Sequence, residues 1–124
     1  MGSEHTWVIP PDLAATSDVR RHVASACTGL SPDTVEAARL MATELFSNAV
    51  RHGSGAVVLV VGREVGGLHV EILDEGLDLP VLAEPSPAAE GGMGLRLVSA
   101  LASDWGVGTR SDGQPGKRVW FSIL

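Results

Sequence analysis

The sequence predicts an α/β (α+β) two-layer sandwich, in which a mostly antiparallel mixed sheet carries helices packed on one face. The chain has 124 residues, enough for one compact domain over 1–124 and too few for two well-buried ones. Hydrophobic residues make up 44% of the chain and charged residues 19%, which is typical of a globular protein. Segments with helical spacing and segments with strand-like alternation follow one another along the chain, and this mixture indicates the sandwich.

The first half of the chain predicts one strand and two helices. Residues 6–9 form a short β-like run that ends at two prolines. A helix capped by Asp12 or Ser17 is expected to run to about residue 28, where a glycine follows. A second helix begins after Ser31, which offers a capping hydroxyl and is followed by proline at the first helical position. Its apolar residues keep helical spacing up to the next glycine, Gly53.

The second half predicts two hairpins separated by a helix. The expected elements are strands at 56–62 and 68–73 around a Gly66-Gly67 turn, a mobile loop over 80–92, a helix at 93–102, and strands at 105–110 and 118–124. The loop is expected because it has no periodicity and carries Pro85 and Pro87 among small residues. All strands are apolar on alternate residues or throughout, which fits a sheet with one covered face.

Three polar residues recur every four positions near the end of the second predicted helix: Glu44, Asn48 and His52. This spacing turns a carboxylate, an amide and an imidazole toward one side of the helix. The amide oxygen of Asn48 suits a hard cation such as Mg²⁺, and Glu44 is placed to deprotonate a hydroxyl beside that cation. His52 lies at the helix end, where support of the terminal carbonyls is favoured over a catalytic role.

Two glycine-containing segments could complete a ligand site. Asp74-Glu75-Gly76 follows an alternating strand, where a carboxylate can accept a hydrogen bond from an exocyclic amine or simply belong to a solvated turn. Residues 90–95 lead into a helix, so their backbone N–H groups either bind phosphate oxygens or form a plain flexible connection. The sequence alone leaves both pairs of alternatives open.

Charge and composition exclude several kinds of function. The net charge is −6 and the basic residues are scattered, so we expect no binding to nucleic acid or to a membrane surface. No signal sequence or long apolar span is present, which predicts a cytoplasmic protein. The single cysteine, Cys27, falls among small apolar residues and is expected to be a core residue.

The order of these segments resembles the GHKL ATPase superfamily, which has the Bergerat ATP-binding fold. The stretch 44–52 is similar to its N box, Asp74 to Gly76 to its first glycine box, and 92–95 to its second. The resemblance covers nearly the whole chain. The short chain and the segment 97–106 look specifically like the branch of anti-sigma-factor serine/threonine kinases.

The resemblance implies a role for each motif residue. Asn48 would be the magnesium ligand and Glu44 the catalytic base. Asp74 would hold the adenine amino group, aided by the flexibility of the chain at Gly76. The phosphates of ATP would be bound at Gly92, Met93, Gly94 and Leu95, with residues 81–91 as a lid.

The resemblance also implies what the protein does and with which partners. Members of this branch bind ATP and Mg²⁺, phosphorylate a serine on an anti-anti-sigma antagonist of the STAS type, and otherwise hold a sigma factor inactive. Homodimers are common among them. The alternatives are a non-catalytic nucleotide-binding module for protein interaction, or a degenerate pseudo-ATPase.

The chain departs from the family pattern in two places. Where the first glycine box usually continues to another glycine, residues 77–80 read Leu-Asp-Leu-Pro. The lid has no lysine or arginine between residues 78 and 93, so a cation that neutralises phosphate must come from elsewhere, and Arg96 is the nearest in sequence. The altered first glycine box motivates the non-catalytic module.

Overall fold

A five-stranded sheet with α-helices on one face forms the computed structural model, which describes residues 4–77, 92–110 and 112–124, with the backbone alone at 92–94. The strands are β1 (Glu4–Ile9), β2 (Val57–Glu64), β3 (Gly67–Asp74), β4 (Asp104–Thr109) and β5 (Lys117–Ile123). The helices are α1 (Thr16–Ser25), α2 (Pro32–His52) and α3 (Gly92–Leu101), and a 3-10 turn at Leu13–Ala15 precedes α1. The sheet order is β1-β2-β3-β5-β4 and every described pairing is antiparallel. The predicted α+β fold class is confirmed.

Alternation along the strands separates a helix-covered face of the sheet from an open face. On β3, Leu68, Val70 and Ile72 are almost fully buried beneath the helices, whereas the residues between them lie on the open face. The neighbouring strands and helices contribute the rest of this core: Val57, Leu59, Val61, Val119, Phe121, Met41, Leu45, Phe46, Val19, Val23, Leu95 and Val98. The core therefore lies between the helices and one face of the sheet.

Helix α2 is the element that positions the candidate site, and its ends agree with the sequence. The Ser31 hydroxyl accepts a hydrogen bond from the backbone N–H of Thr34 at 3.2 Å, and Pro32 is the first helical residue. Acidic Asp33 lies in the first turn and two basic residues lie in the last, which complements the helix dipole. The helix ends at Gly53, as predicted.

Helix α1 is shorter than predicted, ending at Ser25 rather than near residue 28. The backbone carbonyls of Ala26 and Thr28 accept hydrogen bonds from the guanidinium of Arg63 on β2, at 3.3 and 2.8 Å. Gly29 follows with a φ of +85°, in the left-handed region. The carbonyl groups that directly follow α1 therefore accept hydrogen bonds from a distant arginine and not from the N–H groups of a further helical turn.

The two predicted hairpins are present, with small shifts in their turns. Gly66 has a φ of +79° in the turn between β2 and β3, whereas Gly67 already belongs to β3. A Cβ atom on Gly67 would lie 2.0 Å from the carbonyl oxygen of Ile123, which requires glycine there. Most of the loop predicted over 80–92 lies outside the described residues. Among the described helices, none is both long and apolar enough to cross a membrane.

Candidate functional site

Two of the three predicted motifs meet where α2 ends. A Cβ atom on Gly53 would lie 2.7 Å from Oδ2 of Asp74, so the end of the helix rests directly on this carboxylate. The backbone N–H of Glu75 donates a hydrogen bond to the carbonyl of Ser54 at 2.8 Å, which joins the two segments. The end of the N-box-like helix and the Asp74–Gly76 segment are therefore in direct contact.

Asp74 is buried and is held by two donors. Its side chain is 2% exposed, and Oδ1 accepts hydrogen bonds from the backbone N–H of Gly76 at 2.7 Å and from Nζ of Lys117 at 3.1 Å. Lys117 is the residue directly opposite Asp74 in the register of β3 and β5. A buried carboxylate is costly unless it is paired and hydrogen-bonded, and the lysine and the amide meet this requirement.

The loop that follows α2 is hydrogen-bonded to the segment that directly follows β3. Oε2 of Glu75 accepts a hydrogen bond from the backbone N–H of Ala56 at 2.8 Å. Gly55 lies between the two segments with a φ of +69°, and a Cβ atom there would overlap the Glu75 carboxylate. These contacts hold residues 53–56 in position beside the carboxylate of Asp74.

The backbone of Asp74 is enclosed from the other side by the turn before β5. A Cβ atom on Gly116 would lie 2.0 Å from the Asp74 carbonyl oxygen, so this close approach needs glycine. The guanidinium of Arg110 donates a hydrogen bond to the same carbonyl at 3.5 Å. It donates two more to the carboxylate of Asp112. The hydrogen bond from Arg110 holds the pKa of Asp112 below its ordinary value and raises the pKa of Arg110.

The polar residues of α2 lie on the last turns before this junction. Glu44 and Asn48 are one helical turn apart and half-buried, and His52 is the exposed final residue of the helix. Both side chains are therefore partly accessible to solvent, and each precedes a buried core residue of α2, Leu45 or Ala49. The exposed position of His52 agrees with a role at the helix end.

The third motif forms the first turn of α3. The helix begins at Gly92, so residues 92–95 supply the first-turn N–H groups that a helix leaves unpaired. The side chain of Leu95 is 2% exposed and packs in the core, so a ligand could meet only its backbone. Helix α3 packs against α2, and Arg96 is half-buried on α3. The expected lid at 81–91 and the altered residues 78–80 lie outside the described residues.

Sequence reasoning missed Lys117. The residue begins β5, and the alternation Lys117, Val119, Phe121 sets it on the same face as the buried core residues. A charged residue on the apolar face of a strand is the signal that could have drawn attention to it. The same alternation on β3 sets Asp74 in line with the buried Ile72, so the two charges share one face.

Cys27 lies in the core, as expected, and Trp7 packs against it. Cys27 is buried, its Sγ contacts the carbonyl of Val23 at 3.2 Å, and burial raises the pKa of the thiol. Trp7 stacks on the ring of His22 with a centroid distance of 4.4 Å and packs against the core. Neither residue contributes to the candidate site.

A family profile of histidine kinase-like ATPase domains matches residues 9–123, which is nearly the whole chain. The chain belongs to this family of ATPase domains. The resemblance to the GHKL superfamily is thereby confirmed, and membership in an ATPase family implies that the chain binds ATP. No curated protein is detectably similar to the chain.

The fold is shared with solved structures. In the crystal structure of the RsbU and RsbW domains of Rv1364c from Mycobacterium tuberculosis, the match has a TM-score of 0.71 at 15% sequence identity. It covers 98% of this chain and 32% of that one, so this chain spans about a third of the length of its relative. At this identity the likeness shows a common fold.

Proposed function

We propose that this chain is an ATP- and Mg²⁺-dependent serine/threonine protein kinase that acts as an anti-sigma factor, with all of residues 1–124 forming one kinase domain. The observation that carries the proposal is the meeting of Gly53, at the end of α2, with Asp74 and Gly76 in a histidine kinase-like ATPase domain. The likeness in fold to a chain that contains an RsbW domain supports this branch of the superfamily.

In the proposed site each motif has a separate task. Asp74 accepts a hydrogen bond from the adenine amino group, and the first turn of α3, at 92–95, binds phosphate oxygens with its N–H groups. Asn48 offers an amide oxygen to Mg²⁺, which when bound neutralises phosphate charge. Glu44 accepts the proton of the attacking serine hydroxyl. Catalysis then rests on positioning and on charge stabilisation.

The proposed substrate is a serine on an anti-anti-sigma antagonist of the STAS type, and the second partner is a sigma factor. Phosphorylation would release the antagonist and leave the kinase to hold the sigma factor. A homodimer and a cytoplasmic location belong to the same proposal. Neither nucleic acid nor membrane enters it, in line with the net charge of −6.

Replacement of Glu44 tests the catalytic part of this proposal. Glu44→Ala should still bind ATP, because Asp74 and the first turn of α3 are unchanged, whereas phosphate transfer to the antagonist should fall by about 10²–10⁴-fold. The measurement is transfer from labelled ATP, with ATP affinity measured in parallel. Glu36→Ala is the matched control, since Glu36 lies exposed on the same helix and forms an ion pair with Arg39. Transfer by Glu44→Ala at the wild-type rate would remove Glu44 from its role.

A second candidate function is a nucleotide-binding module without kinase activity. It is favoured by Leu77, which follows Gly76 where the family pattern continues toward a further glycine. The same assay separates the two functions, because tight ATP binding by the wild-type protein without transfer to any antagonist would favour the module. The absence of a thermal shift with Mg-ATP would instead indicate a pseudo-ATPase.

A further inference from the structure

Lys117 is a buried charge that the proposed function does not use. Its side chain is 6% exposed, and the only hydrogen bond described for its Nζ goes to Oδ1 of Asp74 at 3.1 Å. Burial of an ammonium group has a desolvation cost, and an exposed lysine at the start of a strand would avoid it. A functional role would explain why this charge is buried at the nucleobase end of the proposed site.

The backbone of Gly76 packs directly against the Lys117–Asp74 pair. A Cβ atom on Gly76 would lie 3.0 Å from Oδ1 of Asp74 and 3.0 Å from Nζ of Lys117. Gly76 does not have a positive φ, so its backbone conformation does not demand glycine. A side chain at position 76 would instead crowd the carboxylate and the ammonium, so glycine keeps both groups clear of side-chain atoms at this point.

The pair presents a hydrogen-bond acceptor next to a donor. An ionised carboxylate only accepts, and an ammonium has three N–H donors, of which the contact with Asp74 uses one. The Watson–Crick edge of adenine offers the complement, an amino donor at position 6 beside a ring-nitrogen acceptor, N1. Guanine reverses this order, with a carbonyl at position 6 and an N–H at position 1.

We propose that Lys117 is a specificity-determining residue of the nucleotide site, which donates a hydrogen bond to N1 of adenine while Asp74 accepts one from the adjacent amino group. This inference rests on the proposed function, because it takes Asp74 as the residue that binds adenine. The pair then recognises both polar atoms of the adenine edge, and it disfavours guanine, which would set its N–H against the ammonium.

An ATP analogue that lacks N1 tests the inference and leaves the protein itself unchanged. Wild-type protein is titrated in the presence of Mg²⁺ with ATP and with 1-deaza-ATP, in which N1 is replaced by C–H. Because the hydrogen bond comes from a charged donor, 1-deaza-ATP should bind about tenfold more weakly or worse. The matched control is 7-deaza-ATP, which lacks a ring nitrogen on the other edge of the base. Equal affinity for ATP and 1-deaza-ATP, or an equal loss with both analogues, would overturn the inference.

A variant then assigns the effect to Lys117. Lys117→Met should weaken ATP binding and bind ATP and 1-deaza-ATP within about twofold of each other, because the donor to N1 is gone. Lys117→Arg keeps a donor and is expected to restore part of the preference. A purely structural ion pair would instead leave the preference of Lys117→Met as large as in the wild type. Failure of the wild-type protein to bind ATP at all would overturn the proposed function, and the inference with it.

Discussion

At the scale of single residues, Gly53 is important because it has no side chain. Its φ of −93° and ψ of −161° describe an extended conformation that any residue adopts, so the backbone does not require glycine. A Cβ atom there would lie 2.5 Å from the carbonyl oxygen of Ala49 and 2.7 Å from Oδ2 of Asp74. The sequence indicates a helix stop at this position, and the structure adds that the absent side chain lets α2 reach the carboxylate.

Gly53→Ala tests this close approach. The added methyl group must displace the end of α2 or the Asp74 side chain, so we expect a loss of about 1–3 kcal/mol in the free energy of unfolding, together with weaker ATP binding. Urea unfolding and calorimetric titration measure the two effects. Gly108→Ala is the control, because a Cβ atom on Gly108 would meet nothing within 4 Å. Equal behaviour of the two variants would contradict the packing argument.

The residue scale also shows which parts of the site a sequence reveals. Asn48 and Asp74 could be chosen because their motifs are local, each within a few positions of the chain. Lys117 could not be assigned to Asp74, since 43 positions separate them and only the β3–β5 register brings them together. Pairings of this kind depend on strand order, which the sequence pattern leaves undetermined.

At the scale of elements, a polar network crosses three strands on the open face of the sheet. His69 on β3 contacts Glu71 at 2.9 Å through Nε2 and Ser122 of β5 at 2.8 Å through Nδ1. Glu71 also accepts a hydrogen bond from Arg118 at 3.0 Å, and Ser122 donates one to Glu64 of β2 at 2.8 Å. The network therefore ties β2, β3 and β5 together opposite the helices.

The His69–Glu71 contact makes this part of the sheet sensitive to pH. The hydrogen bond with Glu71 raises the pKa of His69 above its usual 6.5, and the hydrogen bond with His69 lowers the pKa of Glu71 below its usual 4.5. The stabilisation from His69 is complete below pH 6.5 and is lost as the pH rises through the raised pKa. The stabilisation from Glu71 is present above pH 4.5 and is lost as the pH falls through the lowered pKa.

His69→Gln tests this dependence. The variant should lose about 1 kcal/mol more unfolding free energy at about pH 5.5 than at about pH 8.5, because a larger fraction of His69 is protonated and paired with Glu71 at the lower pH. Urea unfolding of wild type and variant at both pH values gives the difference. His5→Gln, on the exposed part of β1, is the control. A destabilisation that does not change with pH would contradict the ion pair.

Element boundaries were predictable where their causes are local. The start of α2 at Ser31 follows from a hydroxyl cap and a proline, and the β2–β3 turn follows from Gly66. The predicted end of α1 was wrong by about one turn, because Arg63 of β2 donates hydrogen bonds to the carbonyl groups beyond Ser25. Tertiary hydrogen bonds of this kind override local helical spacing.

At the scale of the whole molecule, the candidate site joins parts of the chain that are distant in sequence. The end of α2, the end of β3 and the start of β5 meet at Asp74, and α3 packs on α2. A ligand held by all of these elements binds the folded chain and not the unfolded one. ATP is therefore expected to raise the unfolding temperature in a concentration-dependent way.

The central claim is that Asp74 and the end of α2 form an ATP site, and calorimetric titration with ATP tests it most directly. The wild-type chain should bind one ATP, more weakly once EDTA removes Mg²⁺, and Asp74→Asn should bind at least about tenfold more weakly because the charged acceptor is lost. Asp33→Asn, exposed in the first turn of α2, should bind as the wild type does. No binding heat from the wild-type protein, or full affinity in Asp74→Asn, would contradict the claim.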